Sequence, residues 1–469
     1  MAKQNCASIC SRLFSIFSVG LLACGVPFCL YRKSKPLIFE KDTVLPQTFS
    51  NQSSTLRFAD LCRYDPCPSQ PRNFARARWK RSSLQEHFIK FILPTIFPIL
   101  DSNRRRQASS ELILPTLESS RAFLHCCLYV AAQSLKSHTN GSNSTEEINK
   151  EIMRHRYASI EALCKALKEV EKHQQALETT LGLTFFQSVV GHYDDGLPYI
   201  SWDMHFQTAM SLVHELELHS IASDPVKVSM QTRFNMSLSS WIDILGATVK
   251  GRSPAFAPTY REKIVSQLNH SLGLRELMGC DDRVMHLISE IACLESLKKE
   301  GMDGLTFYEH VAALEEQISI TEMGDAGPEM PFDANGGLIP EQLSKNITIA
   351  FRITARVFLR QLDPGFSPRE ECHMVLVDRL TTVLQHIPSG FDRNLTWVYL
   401  IGGSISVPNS SFRPFVKERL AQLGDLAKIG NIGRTAVLLD KVWAQNDESL
   451  RYTHWRDVME SNGWDFLLM

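Results

Sequence analysis

WIDILGATVKGRSPAFAPTYREK at Trp241–Lys263 and GLRELMGCDDRVMHLISEIACLESLKK at Gly273–Lys299 are two helical patterns that flank a loop containing Gly and Pro. The first stretch begins with an apolar-rich run, and Gly251 and Pro254 mark its end because both residue types interrupt helices. Neither stretch contains a cluster of catalytic residue types. Together they predict helical packing and say little about chemistry.

The second stretch contains the clearest single helix, predicted over Asp282–Lys299. Its apolar residues recur at spacings of three and four, so they lie on one helical face. They are Val284, Leu287, Ile288, Ile291, Leu294 and Leu297. Asp281 and Asp282 stand where the helix dipole favours anions, and Lys298 and Lys299 where it favours cations.

Helical signals continue through the remainder of the chain. Leu112–Leu135 is strongly apolar and predicts either a buried helix pair or one long core helix. Ser144 followed by Glu147 has the capping-box pattern of a helix start, Val375–Ile387 predicts a further helix, and Gly324–Gly337 predicts a loop. Because we find neither alternating β-branched strands nor a fixed-period repeat, the sequence predicts an all-α domain over residues 84–469.

Composition narrows the class of protein. The chain has 469 residues, 44% of them hydrophobic, and a net charge of -1. Nearly balanced charge argues against a dedicated nucleic-acid coat or a polybasic membrane binder. Twelve cysteines, most within apolar runs, indicate buried reduced thiols. That use of cysteine suits the cytosol or the nucleus.

The N-terminal part differs from the rest. Residues 42–83 are rich in Ser, Pro, Gln and Arg and are predicted to form a disordered linker. The basic residues near its end follow no aromatic or helical pattern. We therefore interpret them as part of a solvated linker and not as a nuclear-import or phosphate-contacting patch. Within residues 1–41, the apolar run Leu13–Tyr31 could serve as a signal peptide or membrane anchor, although Gly20, Gly25 and Pro27 interrupt it.

That apolar run and a set of Asn-x-Ser/Thr sequons motivate one alternative, a secreted or membrane-anchored helical glycoprotein. The sequons are at Asn51, Asn140, Asn143, Asn235, Asn269, Asn346, Asn394 and Asn409. Each tripeptide is short enough to occur by chance, so the sequons carry little weight individually.

An all-α enzyme of the terpene-cyclase type is the second alternative. Such enzymes hold magnesium with two acids followed by a third on a helix, and Asp281-Asp282 supplies the first two, but Met285 stands where the third should be. Asp194-Asp195 is followed by Gly and Pro, which suggests a turn. We find no phosphate loop, paired-His zinc motif or nucleophile elbow. An enzyme would require acids or histidines around a deep cavity, and we expect none.

Three separated blocks resemble the regulatory domain of fungal zinc-cluster transcription factors. They are the tryptophan–aspartate helix with its arginine–proline loop, the Leu277–Cys280 block, and the C-terminal block HWRDVM…GWDFLL, in which Asp457 replaces the commoner glutamate. The residues that mark the family are Trp241, Asp243, Arg252, Pro254, Gly279, Trp455 and Trp464. We expect these residues to be structural, with each tryptophan anchoring helix packing and its indole N–H satisfied by a neighbour.

The resemblance implies an N-terminal zinc cluster in which six cysteines hold two zinc ions and basic residues contact DNA. This chain departs from that pattern, because Cys6, Cys10, Cys24 and Cys29 have no two-residue spacing. Only Cys29 resembles a leftover zinc ligand, so residues 1–41 read as a degenerate or truncated cluster region or as an apolar leader. Neither a cofactor nor a catalytic site is expected in this chain, and zinc only if an intact cluster lies upstream.

The resemblance also implies a function. It predicts a nuclear, non-enzymatic transcriptional regulator of fungal genes, for example those of a metabolic or secondary-metabolite gene cluster. Its expected partners are other transcription factors or the transcription machinery, and it would form a homo- or heterodimer. DNA is a partner only if the zinc cluster is restored, and no membrane is expected.

Overall fold

A computed structural model describes residues 74–103, 108–137, 142–191, 201–221, 228–265, 271–449 and 452–469. The predicted leader or cluster remnant at 1–41, with Cys29, lies outside the described residues, as does the predicted linker up to residue 73. Among the described residues there is no β-strand, and an isolated antiparallel bridge joins Phe332 to Leu338. The predicted all-α class is therefore confirmed.

The helices are defined by their bounds in chain order. They are α1 Phe74–His87, α2 Leu93–Ile96, α3 Pro98–Asn103, α4 Ala108–Ser119, α5 Arg121–Ser137, α6 Ser142–Ala166, α7 His173–Val189, α8 Trp202–Glu215, α9 Leu218–Ile221, α10 Met230–Lys250, α11 Ala257–Val265, α12 Leu274–Met278, α13 Asp282–Lys299, α14 Gly304–Ile320, α15 Pro340–Gln361, α16 Glu371–Gln385, α17 Thr396–Ser404, α18 Phe412–Leu423, α19 Gly430–Glu448 and α20 Trp455–Ser461. A π-helical turn, Phe88–Ile92, follows α1, and 3-10 turns occur at Val170–Lys172, Asp392–Leu395 and Gly424–Lys428.

Helix α10 is the centre of the domain. It begins where the Ser229 hydroxyl accepts the Thr232 N–H at 3.1 Å and ends at Gly251, whose φ of 58° is left-handed. Every residue between Phe234 and Val249 is buried, because α7 and α8 pack on one side and α13 on another. A helix enclosed in this way needs an apolar surface nearly all round.

Aromatic side chains join α10 to the C-terminal half of the domain. The Trp241 ring meets Phe351 of α15 edge-on at 5.4 Å, and Phe351 stacks on Trp397 of α17 at 5.7 Å. The Trp397 indole N–H returns to α10 by donating to the Thr248 hydroxyl at 2.9 Å. Such ring pairs add stability beyond the area that they bury.

Hydrogen bonds also connect residues far apart in the chain. The Trp202 indole N–H donates to Asp465 at 2.9 Å, and Arg393 donates to the Thr95 hydroxyl at 3.1 Å. The apolar residues of the described part form a single core that includes both Leu84 of α1 and Trp455 of α20. The first and last described helices therefore belong to one packed unit.

One helix prediction and one loop prediction are confirmed, and a second helix prediction is refined. Helix α13 has the predicted bounds, and the Asp281 carboxylate caps it by accepting the Arg283 N–H at 2.9 Å. Residues Gly324–Gly337 form a loop, as predicted. The apolar stretch Leu112–Leu135 forms the pair α4 and α5, interrupted at Ser120.

Two details differ from prediction. Helix α6 begins at Ser142, so Ser144 lies inside the helix and is not its cap. Ser142 and Asn143 are residue types that favour helix starts equally well. Helix α1 begins at Phe74 and so includes the last part of the segment predicted as a linker. No Gly or Pro interrupts the chain between Pro71 and Pro94, so the helix is free to extend towards the N-terminus.

Candidate interaction surface

Asp243 ties α10 to the loop that follows it. Its carboxylate accepts the N–H groups of Ala255 and Phe256 at 2.8 and 2.9 Å and the Tyr260 hydroxyl at 2.9 Å. Burial raises the pKa of the Asp243 carboxyl, and the three donors act in the opposite direction. Because three donors converge on one buried acid, the position of the arginine–proline loop depends on Asp243.

We expect Asp243→Ala to lower the free energy of unfolding by about 3 kcal/mol, because it leaves buried donors unsatisfied. Urea unfolding followed by circular dichroism measures this change. Asp203→Ala is the matched control, since it removes the partly exposed pair with Arg252 and should cost about 1 kcal/mol or less. Equal losses for the two variants would contradict the structural role of Asp243.

The other family-marking residues near α10 are also placed in packing roles. Arg252 reaches Asp203 of α8 at 2.8 Å, and Pro254 is buried in the same loop. Gly279 ends α12 with a φ of 87°, and a Cβ there would lie 2.8 Å from the Ile347 Cδ1 atom. Only glycine fits that close approach to α15 without a shift.

The C-terminal block packs against α10 and α13. Trp455 is fully buried, and the Arg456 guanidinium lies over its ring, 4.8 Å from the centroid. The Trp455 indole N–H has no hydrogen-bond partner among the described residues, so the expectation that each indole would be satisfied is wrong here. The guanidinium of the adjacent Arg456 has no acceptor atom, so its contact with the ring cannot satisfy that N–H.

Trp464 is partly buried and lies beneath the Lys441 ammonium, 5.2 Å from the ring centroid. Its neighbour Asp465 makes the stronger connection, because it accepts from the Trp202 indole at 2.9 Å and from Lys250 at 2.8 Å. Sequence reasoning missed Trp202 as the partner. The Gly-Trp-Asp pattern did signal the site, but nothing in the chain indicated which distant donor would reach it.

Helices α14 and α15 are joined by ion pairs. Arg356 of α15 donates to Glu315 at 2.8 Å and to Glu322 at 2.7 Å, and Arg360 donates to Glu315 at 2.9 Å. One turn earlier, Arg352 pairs with Asp325. Arg352 and Arg356 are largely buried, so these ion pairs hold α14 and the loop after it firmly on α15.

An open groove of about 590 Å³ runs beside these pairs, between α14 and α16. It is lined by Glu315, Glu322, Arg356, Arg360, Glu371 and Arg379. Acids do gather here, but Glu315 and Glu322 are neutralised by arginines and the groove opens to solvent. Two enclosed cavities elsewhere in the described part have room for about 20 and 10 Å³, close to the space that one water needs.

The acids considered for a magnesium site are engaged in local structure. Asp281 caps α13, and Asp282 accepts from the Ser271 hydroxyl at 2.7 Å and the Leu274 N–H at 3.0 Å. Both carboxylates therefore stabilise the helix start and the turn before it. Asp194-Asp195 lies outside the described residues.

Glu370, Cys372 and His373 form a small cluster whose ligand-type atoms lie within 4.8 Å of one another. A carboxylate, a thiol and an imidazole are ligand types that zinc accepts. In this structure His373 Nδ1 is hydrogen-bonded to the Ser367 carbonyl at 2.7 Å, while Glu370 and Cys372 are exposed. The cluster is a side-chain arrangement at the start of α16 and adds no argument about function.

Several sequons are buried in the core. The Asn346 side-chain N–H₂ donates to the carbonyls of Glu329 and His386 at 2.7 and 2.9 Å, and Asn235 and Asn394 are also buried. A sugar could not be joined to these amides in the folded domain, whereas Asn409 is exposed. Among the described residues, we find no helix with the length and apolar character to span a bilayer; Leu13–Tyr31 lies outside them.

Comparison with known proteins gives the family. The transcriptional regulatory protein pro1 of Neurospora crassa is 53% identical over 414 residues, which is 82% of this chain. The chain spans 59% of the length of that relative. No solved structure matches the present chain. The family described as the fungal specific transcription factor domain matches residues 83–469. Since this match includes most of the chain, the protein belongs to the fungal specific transcription factor domain family.

Proposed function

We propose that this chain regulates transcription in the nucleus and does so through contacts made by its helical domain with other proteins. The family match over residues 83–469 carries the proposal. The Neurospora relative, which is named a transcriptional regulatory protein, supports it. Other transcription factors and the transcription machinery are the proposed partners, and the domain forms homo- or heterodimers.

The surface chemistry supports contact with proteins over catalysis. In the open groove beside α14, Glu315 and Glu322 face arginines, and those ion pairs occupy the two carboxylates that would otherwise be available as bases. Of the acids considered for the enzyme alternative, Asp281 and Asp282 stabilise the start of α13 and the turn before it. We therefore propose a protein without enzymatic activity.

DNA contact is a separate part of the proposal. A six-cysteine zinc cluster would have to supply it, since the family's readers place Arg or Lys at base edges in the major groove. Cys29 resembles only one ligand of such a cluster, and no cofactor is proposed for the residues given. Regulation through a DNA-bound partner would need only the helical domain at residues 83–469.

Tethering tests the proposal. We expect the full chain fused to an unrelated DNA-binding domain to raise or lower a reporter gene several-fold in a fungal cell. The DNA-binding domain without the fused chain serves as the control and should leave the reporter unchanged at equal protein level. A silent reporter with a folded, nuclear fusion would contradict the proposal. Secretion with a glycosidase-sensitive mobility shift would favour the glycoprotein alternative.

A further inference from the structure

The segment from residue 301 to residue 341, here named the acidic arm, has an extreme charge for this protein. Between Lys299 and Lys345 the chain contains no Lys or Arg. The acidic residues of the arm are Asp303, Glu309, Glu315, Glu316, Glu322, Asp325, Glu329, Asp333 and Glu341. The whole chain has a net charge of only -1, so this concentration of one sign creates a local negative field.

Part of that charge is used inside the fold. Glu315, Glu322 and Asp325 pair with the α15 arginines, as described above, and Asp303 caps α14 by accepting the Thr306 N–H at 3.0 Å. Asp333 closes its own turn by accepting the Gly337 N–H at 2.7 Å. These contacts attach the arm to the rest of the domain. They do not indicate which partner the arm binds.

Four acids remain exposed and have no ion-pair partner among the described residues. They are Glu309, Glu316, Glu329 and Glu341. Glu309 and Glu316 lie seven residues apart on α14 and therefore share a helical face. That face is opposite Phe307, Leu314 and Ile318, the buried residues of the helix.

Apolar side chains are exposed on the same arm. Leu305 and Met323 are each 74% exposed, and Leu305 lies one turn before Glu309 on the outer face of α14. The other large exposed apolar residues of the arm are Tyr308, Met330 and Phe332. Exposed apolar groups that lie among charges are typical of a surface that binds another protein.

The arm is fixed in place before any partner arrives. Asn346 accepts the Glu329 N–H at 3.4 Å and donates to the Glu329 carbonyl at 2.7 Å, while Arg352 donates to the Thr321 carbonyl at 2.5 Å. Both residues belong to α15 and are buried. An ordered surface loses less conformational entropy on binding than a flexible one.

We propose that the acidic arm is the docking surface for a lysine- and arginine-rich segment of a partner protein that also carries apolar side chains. The inference deepens the proposed function and rests on it. The sign of the charge excludes nucleic acid and anionic lipid as the occupant, because phosphates would be repelled. A second copy of this chain would bring two acidic arms together, which the same repulsion opposes.

The binding test uses the full chain and three synthetic amphipathic peptides: lysine–leucine, lysine–glutamine of equal charge, and glutamate–leucine. Fluorescence anisotropy measures each dissociation constant at low and physiological salt. We expect the lysine–leucine peptide to bind, more weakly as salt rises, and at least about tenfold more tightly than the others. Equal binding of lysine–glutamine would show that the apolar groups are not used, and would overturn the proposal.

Matched charge variants locate the site. The arm variant is Glu309→Gln, Glu316→Gln, Glu329→Gln and Glu341→Gln. The control variant makes the same charge change at exposed acids elsewhere: Glu118→Gln, Glu262→Gln, Glu418→Gln and Asp440→Asn. We expect the arm variant to weaken lysine–leucine binding by about tenfold, from several ion pairs of a few tenths of a kcal/mol each, and the control by about twofold or less.

Equal weakening by both variants would show a diffuse field instead of a docking surface, and a concentration-dependent dimer that needs the arm would favour a second copy; either result overturns the proposal. All the replaced residues are exposed, so thermal melting should stay unchanged.

In the tethered reporter, we expect the arm variant to lose most of its effect. If wild type and arm variant regulate equally, the docking proposal fails and the proposed function stands. If wild type has no effect, the proposed function fails and the peptide result decides docking alone.

Discussion

Replacing Arg456 with methionine should lower the free energy of unfolding by about 3 kcal/mol. Arg456 of α20 donates to both carboxylate oxygens of Glu295 on α13, at 2.6 and 2.8 Å, and to the Thr248 carbonyl of α10 at 3.1 Å. One guanidinium therefore joins three helices. Glu295 is only 4% exposed, so its charge would keep just the Lys299 ammonium at 3.0 Å. Urea unfolding measures the loss.

Two further variants test that explanation. Arg360→Met removes a pair that is about one-third exposed, and we expect it to cost about 1 kcal/mol or less. Replacing Arg456 and Glu295 together by methionine removes the buried charge as well as its partner, so the double variant should be more stable than Arg456→Met alone. A double variant that is still less stable would show that packing, and not the uncompensated carboxylate, carries the loss.

Lowering the pH from 7 to 5 should destabilise the domain by about 4 kcal/mol through two histidines alone, the buried His205 and the partly buried His454. Burial, reinforced by Arg156, lowers the pKa of His205 to about 3, and burial with Arg456 and Lys299 lowers that of His454 to about 3. Both titrate near 6.5 when unfolded. The unfolded chain therefore binds protons first, and stability present above pH 6.5 is lost progressively as the pH falls towards 3.

The His454→Asn variant isolates half of this effect. His454 Nδ1 accepts the Arg456 N–H at 3.1 Å and so caps α20, which a protonated imidazole could not do. Asparagine keeps a capping oxygen and does not titrate. Urea unfolding at pH 7 and pH 5 should show a loss about 2 kcal/mol smaller in the variant than in wild type. Parallel losses in the two proteins would mean that His454 is not held neutral in the folded state.

Local patterns in the sequence predicted local structure well. Helix α13 was predicted with correct bounds because its cap, its charges and its apolar stripe all agree. The start of α1 was missed because Arg76, Arg78 and Lys80 give no amphipathic pattern, although nothing in that stretch breaks a helix. The start of α6 was missed because several adjacent residues can cap.

Contacts between distant residues could not be predicted in the same way. Nothing in the sequence near Arg456 indicates Glu295 as its partner, since that pairing arises only when α13 and α20 pack together. The tryptophans of the family blocks were recognisable, yet the unsatisfied Trp455 indole follows from packing alone. The charge of the acidic arm, by contrast, is readable from the sequence, because the interval between Lys299 and Lys345 has no basic residue.

Trp202 is synthesised well before Asp465, the acceptor of its indole hydrogen bond. The ribosome adds about 5–20 residues per second, so Trp202 leaves the tunnel on the order of tens of seconds before its acceptor exists. Throughout that interval the central helix α10 lacks part of its packing, so its apolar surface stays exposed to chaperones. A nonsense allele that stops translation shortly before Asp465 should therefore behave like a null allele, even though it keeps nearly all of residues 83–469.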